Sequence, residues 1–290
     1  MSDAFTKKGL DAPRLSAEML LAHVFGCDRM KLYTDADRPA SPLERESLRD
    51  LVGRALKNEP VQYLVGEKWF FGLPLHVDRR VLIPRPSTET IVEEVLLHSR
   101  AEPGFGGKTG EGIRFADVCT GSGCVAVALL KNMPKAFAIA TDISEDALAV
   151  ARQNAERHRV ADRLEFLKGN LVDPLINHPA GGSAGRDLHY LLANPPYIPD
   201  SEWEAVEANV KEYEPHGALR GGPDGLTFVR PIIDQGAEVL RPGGVMMIEV
   251  ATATTDTVKS LIEQRGGFGN VRIVKDGDGL ARVAVAARTE

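Results

Sequence analysis

Cysteine is scarce in this sequence. Cys27, Cys119 and Cys124 are the only three in 290 residues, and no two of them form a CxxC pair. So sparse and odd a set excludes a disulfide-framed secreted scaffold and fits a reducing cytosol. The histidines His23, His76, His98, His158, His178, His189 and His216 show no H-x-x-x-H or His/Cys ligand spacing, so no metal site is expected. Long apolar runs are missing too. A stretch such as CVAVALL (124–130) falls far short of the ~20 residues that span a bilayer. The opening MSDAFTKKGLDAPRL lacks the apolar core of a signal peptide. Nor is there an excess of positive charge: 35 Lys/Arg against 41 Asp/Glu give −6, which argues against binding nucleic acid through a general basic surface. The expectation is a cytoplasmic protein with no membrane and no direct nucleic-acid partner.

What is present suits a soluble globular protein. Hydrophobic residues make up 43% and charged residues 26%, too apolar for disorder. At roughly 150 residues per domain the length suggests two domains, each able to bury a core. Charge is uneven. Residues 1–75 hold 11 Lys/Arg and 11 Asp/Glu, which leaves 24 against 30 in 76–290. The whole −6 therefore sits in the later part.

Residues 13–60 read as short helices. Leu20 with Val24 and Leu21 with Phe25 repeat at i,i+4, and Ser41-Pro42-Leu43-Glu44 reads as a capping box with Pro in the first turn. Nothing there looks catalytic. The β-branched and aromatic segment 61–86 predicts extended strands or a hairpin. Helical spacing resumes after Ser87. Arg85 and Glu89 are expected to pair across that helix start, outside catalysis. From residue 113 strands and helices alternate: strands over 113–118, 137–142, 164–170, 188–194 and 244–251, helices over 123–132, 144–158, 228–240 and 255–265, and strands near 270–274 and 281–287. Repeated βαβ units predict a mostly parallel sheet with helices on both faces. A Gly-rich stretch, HPAGGSAGRD (178–187), reads as a flexible insertion.

In such sheets ligands bind beyond the carboxyl ends of the strands. The first strand ends in Asp117-Val118-Cys119-Thr120-Gly121-Ser122-Gly123, whose glycines let backbone approach a ligand. The second ends at Asp142, a carboxylate placed to accept from a ribose diol. Together they predict a nucleoside site. Gly121, Gly123 and Ala126 also satisfy G-x-G-x-x-G/A, so a dinucleotide enzyme stays open at this point. The fourth strand ends in Asn194-Pro195-Pro196-Tyr197. Consecutive prolines hold backbone extended and donate no N–H, so their carbonyls and the Asn oxygen are fixed acceptors. Tyr197 can cover a planar group. Such a site positions an NH2 for attack on an electrophilic methyl.

On these residues the chain resembles the bacterial release-factor glutamine N5-methyltransferases, the PrmC/HemK family. The resemblance runs from about Arg14 to Arg288. It is carried by PVQYLVG (60–66), VLIPRPSTE (81–89), DVCTGSGCVAVAL (117–129), TDISEDAL (141–148), NPPYIP (194–199), YEPHGAL (213–219) and GGPDGL (221–226). NPPY alone is shared with adenine-N6 methyltransferases; the combination with IPRP and GGPDGL is more specific. The resemblance implies a Rossmann-like S-adenosylmethionine-dependent domain over 91–290, a β-hairpin linker over 61–90 and a helical substrate-docking domain over 1–60. It implies a monomer acting on the Gln of the Gly-Gly-Gln loop of a peptide-chain release factor. Asp117, Cys119, Thr120, Gly121, Ser122, Gly123, Asp142, Asn170, Leu171 and Asn194 would hold S-adenosyl-L-methionine. Asn194, Pro195, Pro196 and Tyr197 would act on the glutamine.

Five positions depart from the family pattern. Cys119 replaces a loop glycine, Asn170 an Asp, Leu171 an aromatic, Ser87 an acidic residue and Asn209 a Glu. Alternatives were a ribosomal-protein glutamine methyltransferase, whose linker motif differs from IPRPSTE, and an adenine-N6 methyltransferase, which needs a basic recognition surface the neutral 1–75 segment lacks. An NAD-dependent oxidoreductase leaves NPPY unexplained.

Overall fold

A computed structural model describes residues 1–178 and 185–289. Part of the Gly-rich stretch read as an insertion, residues 179–184, lies outside the described residues. The chain opens with five helices: α1 (Ser2–Lys8), α2 (Pro13–Phe25), α3 (Lys31–Thr34), α4 (Pro42–Ala55) and α5 (Val61–Val65). The Ser41 capping box is formed as expected, with Ser41 Oγ accepting from Glu44 N and Glu44 Oε2 from Ser41 N. Phe5, Leu20, Ala55, Val61 and Leu64 close a small core of their own.

α5 corrects the extended reading of residues 61–65. Val61 and Leu64 are both buried in the helical core. Burying each side chain contributes about 1.5–3 kcal/mol, which outweighs a β-propensity difference of up to ~1 kcal/mol. The hairpin starts later, as β1 (Glu67–Phe70) and β2 (Leu73–His76), paired antiparallel. α6 (Glu89–Ala101) follows a 3-10 turn at Pro86–Thr88.

The larger unit alternates β3 (Arg114–Val118), α7 (Cys124–Asn132), β4 (Phe137–Asp142), α8 (Glu145–Arg157), β5 (Leu164–Lys168), α9 (Asp173–Ile176) and β6 (Leu188–Ala193). A short parallel pair, β7 (Ile198–Pro199) and β8 (Arg220–Gly222), brackets α10 (Ala208–Tyr213). Then come α11 (Val229–Val239), β9 (Leu240–Glu249), α12 (Thr255–Arg265), β10 (Phe268–Lys275) and β11 (Ala281–Arg288). The seven-stranded sheet runs β10-β11-β9-β6-β3-β4-β5. All neighbours pair parallel except at β11, which runs antiparallel to both β9 and β10.

Alternation along each strand divides the core in two. Phe115, Tyr190, Leu192, Val245 and Met247 face α6 and α7 together with Phe70 and Leu75 of the hairpin. Ala116, Val118, Leu191, Ala193, Met246 and Ile248 face α11 and α12. Among the described residues no helix is long and apolar enough to cross a membrane.

Candidate active site

Strand order reverses its direction of growth between β3 and β6. Chain leaving β3 crosses to β4 and β5 on one side, and β6 starts the other side. Ligand sites in open α/β sheets form at such a switch point, outside the carboxyl ends. Residues 119–123 leave β3 there and residues 194–197 leave β6 beside them.

The loop after β3 is pinned by carboxylates. Asp117 Oδ2 accepts from the Thr120 hydroxyl at 2.7 Å and from Ala126 N at 3.2 Å. Burial raises its pKa to about 7. Asp142 Oδ2 accepts from Gly121 N at 3.0 Å and Oδ1 from Ser144 N at 2.9 Å. Burial raises its pKa as well. Ser144 caps α8 as its sequence position predicts.

The two glycines do different work. Gly121 has φ +54° and open space where a Cβ would stand, so the loop face there is unobstructed while Asp142 holds its N–H. Gly123 would push a Cβ to within 3.1 Å of Ala151 Cβ, so it serves helix packing rather than ligand approach. Cys119 stands at φ +60°, a left-handed conformation that costs a residue with a Cβ about 1–2 kcal/mol. Its side chain packs against the sheet core on the α11–α12 side. Leu171 is only 7% exposed and packs with Ile139 and Val172, whereas Asn170 is exposed at the end of β5.

The loop after β6 is rigid by composition and braced from outside. Pro195 and Pro196 are buried. Gly221 and Gly225 of the GGPDGL run lie against it so closely that a Cβ would come within 2.7 Å of Tyr197 Cα or 2.5 Å of Tyr197 O. Ile198 N donates to Leu219 O. Asn194 Nδ2 donates to Thr88 Oγ1 at 3.0 Å. Burial, with a nearby carboxylate, pushes the Tyr197 hydroxyl up to about 12.

Several positioning contacts escaped the sequence reading. Arg85 does not pair with Glu89. Its guanidinium donates to Glu214 Oε1 at 2.6 Å while Ile83 N donates to Oε2 at 3.0 Å. Glu89 instead accepts from Phe71 N at 2.7 Å. Reach explains the switch: Glu214 is 4% exposed and needs a buried cation. Asn154 is fully buried and joins hairpin to loop, donating to His76 O and Ser122 O and accepting from His76 N. Its signal was an amide on the buried face of an amphipathic helix. A cleft of about 500 Å³ opens between the helical bundle and the IPRP segment, lined by Lys8, Glu59, Lys68, Arg85, Asn209 and Glu214 among others.

Asp117 is buried and holds the loop through Thr120 and Ala126, with Asp142 near enough that its charge raises Asp117 further. Asp142 at the carboxyl end of β4, beside the unobstructed face of Gly121, fits a nucleoside ligand.

Switch-point loops of this kind on a sheet with one reversed strand define a methyltransferase-type α/β domain. The methyltransferase domain family matches residues 115–212, and the PrmC N-terminal domain family matches 1–66. Among solved structures, the human methyltransferase 10 domain containing protein shares the fold at TM-score 0.53 and 18% identity, covering 76% of this chain and 89% of that one. The release factor glutamine methyltransferase of Geobacter sulfurreducens is 40% identical over 277 residues, 96% of this chain and 90% of that protein. Its counterpart from Rhodopirellula baltica is 36% identical over 288 residues, 97% and 92%. The chain belongs to the release factor glutamine methyltransferase family.

Proposed function

We propose that this protein methylates the side-chain amide nitrogen of the glutamine in the Gly-Gly-Gln loop of a peptide-chain release factor, using S-adenosyl-L-methionine. The observation that carries the reading is the seat of Asn194-Pro195-Pro196-Tyr197 at the end of β6, beside the glycine loop of β3.

Asp117, Cys119, Thr120, Gly121, Ser122, Asp142, Asn170 and Leu171 form the cofactor site in this reading, Asp117 by holding the loop from beneath. Bound there, it supplies an electrophilic methyl on a sulfonium whose positive charge is lost on transfer. Everything else is the work of the chain. Asn194 has its Nδ2 committed to Thr88, which leaves Oδ1 to accept one N–H of the acceptor amide. The Pro195 carbonyl accepts the other, and its ring prevents the backbone from turning away. An amide nitrogen is a poor nucleophile because its lone pair is delocalised. Two hydrogen bonds from its N–H groups draw that pair out of conjugation without prior deprotonation, a preorganised electrostatic effect; after transfer the methylated nitrogen sheds its surplus proton to solvent and the neutral amide is restored. Tyr197 covers the planar group and Pro196 keeps the turn closed.

A helical docking module that takes in α5, a hairpin joined to the sheet core and a methyl-transferring domain follow the same reading. The release factor approaches through the cleft beside Arg85 and Glu214, with the neutral helical module as its dock. The protein works as a cytoplasmic monomer on a protein acceptor. To test this, labelled S-adenosylmethionine is offered with release factor, ribosomal protein and DNA in parallel. Label is expected in release factor; label only in DNA overturns the reading.

A further inference from the structure

The β6–β9 ladder ends at the pair Ala193 and Ile248. The next residues, Asn194 and Glu249, therefore stand side by side just past it. Alternation sends both toward the α6 face, since Leu192 and Met247 two residues earlier pack there. The start of α6 closes over them. Asn194 Nδ2 donates to Thr88 Oγ1 at 3.0 Å, and Ser87 Oγ donates to Glu249 Oε1 at 3.0 Å. Thr88 is 2% exposed and Glu249 fully buried. The Thr88 and Tyr197 hydroxyls lie near the same carboxyl without a hydrogen bond to it, and the charges of Arg85 and Arg282 act on it. Among the described residues Glu249 Oε2 has no hydrogen-bond partner. Leaving a buried polar atom unpaired costs about 1–3 kcal/mol, more for a charged group, so a carboxyl kept in that condition calls for an explanation.

The orientation of the neighbouring amide supplies one. An asparagine side chain fits a hydroxyl neighbour either way round, because a hydroxyl both donates and accepts. With Nδ2 toward Thr88, the carbonyl end is left for an incoming NH2. With the amide reversed, N–H meets N–H and the acceptor is repelled. The unpaired Glu249 Oε2 is open to the Thr88 proton; once that proton turns to it, Thr88 presents only a lone pair to Asn194 and the reversed arrangement is lost. We propose that Thr88 and Glu249 are positioning residues that hold Asn194 with Oδ1 toward the acceptor amide. Ser87 supports them by donating to the other carboxyl oxygen.

The proposal rests on Asn194 receiving the acceptor, as argued above. Thr88→Val, Thr88→Ser and Glu249→Gln are compared with the intact protein by kcat and KM for release factor, and by calorimetric affinity for S-adenosylmethionine. Supporting-shell changes of this kind cost about 10–100-fold, so Thr88→Val should lower kcat by that much, and Thr88→Ser should recover most of it. Glu249→Gln should lower kcat about tenfold, with KM and cofactor affinity within about twofold. A folded Thr88→Val enzyme with unchanged kcat overturns the proposal, as does a loss confined to KM or cofactor affinity. If Thr88→Val does not fold, the kcat of Glu249→Gln decides on the same terms. The Asn194 side-chain amide, followed by nitrogen NMR without substrate, reads the orientation independently of what is methylated. Slow proton exchange that is lost in Thr88→Val is expected, and fast exchange in the intact protein overturns the proposal even where release factor is a good substrate.

Discussion

Two loops leave the same end of the sheet on neighbouring strands, and they are stiffened in opposite ways. The loop after β3 uses residues that bend where others cannot: Cys119 and Gly121 have positive φ, and side-chain carboxylates from Asp117 and Asp142 hold the curve. The loop after β6 uses residues that cannot bend at all, and its freedom is spent elsewhere, in the glycines of 221–225 that nestle against Tyr197. A ligand that is gripped by backbone needs a curved cradle. An acceptor that must meet a methyl at one angle needs fixed carbonyls. The contrast separates holding from reacting, and substitutions on the two sides should therefore fail in different measurements.

The largest effect belongs to the proline side. Asn194→Ala should cut kcat by about 10²–10³-fold, the range for loss of one preorganised polar group, with cofactor affinity by calorimetry largely kept. A loss of affinity instead would merge the two loops into one function. Gly225→Ala comes next. Its Cβ, at φ +77°, would press on the Tyr197 carbonyl at 2.5 Å. The left-handed strain and the displaced loop together should cost about 2 kcal/mol or more, read as lower thermal stability and reduced turnover. A silent substitution would show that the brace is not needed.

On the glycine side, Asp142→Ala should weaken S-adenosylmethionine binding by about 10–100-fold, in line with ~1.5–3 kcal/mol for hydrogen bonds to a charged group. Unchanged affinity would remove Asp142 from the cofactor site. The smallest effect is a gain. Cys119→Gly relieves an unfavourable φ and should stabilise the fold by up to ~1 kcal/mol, measured by chemical denaturation. A loss would mean that the packing of its side chain against the core outweighs the strain.

Short-range features were readable from the chain alone. The alternation from residue 113, the cap at Ser144 and the end of β4 at Asp142 all follow from spacing within a few residues. The misreading at 61–65 arose because valine and leucine there answer to a helical core that no local window contains. The contacts that brace the site have no local signature either: Thr88 meets Asn194 across 106 residues and Ser87 meets Glu249 across 162. One clue did exist. Glu249 closes the buried run GVMMIE, and a carboxylate at the end of such a run is seldom idle.

Asn154 has a consequence for how this architecture can be taken apart. By bonding His76 on one side and Ser122 on the other, it makes the hairpin a structural part of the glycine loop rather than a tether between two bodies. Phe70 and Leu75 sit in the same core as Tyr190. The smallest portable piece of the enzyme therefore begins before β1. A transplant starting at α6 would arrive with an amide stripped of its partners and an opening in its hydrophobic floor.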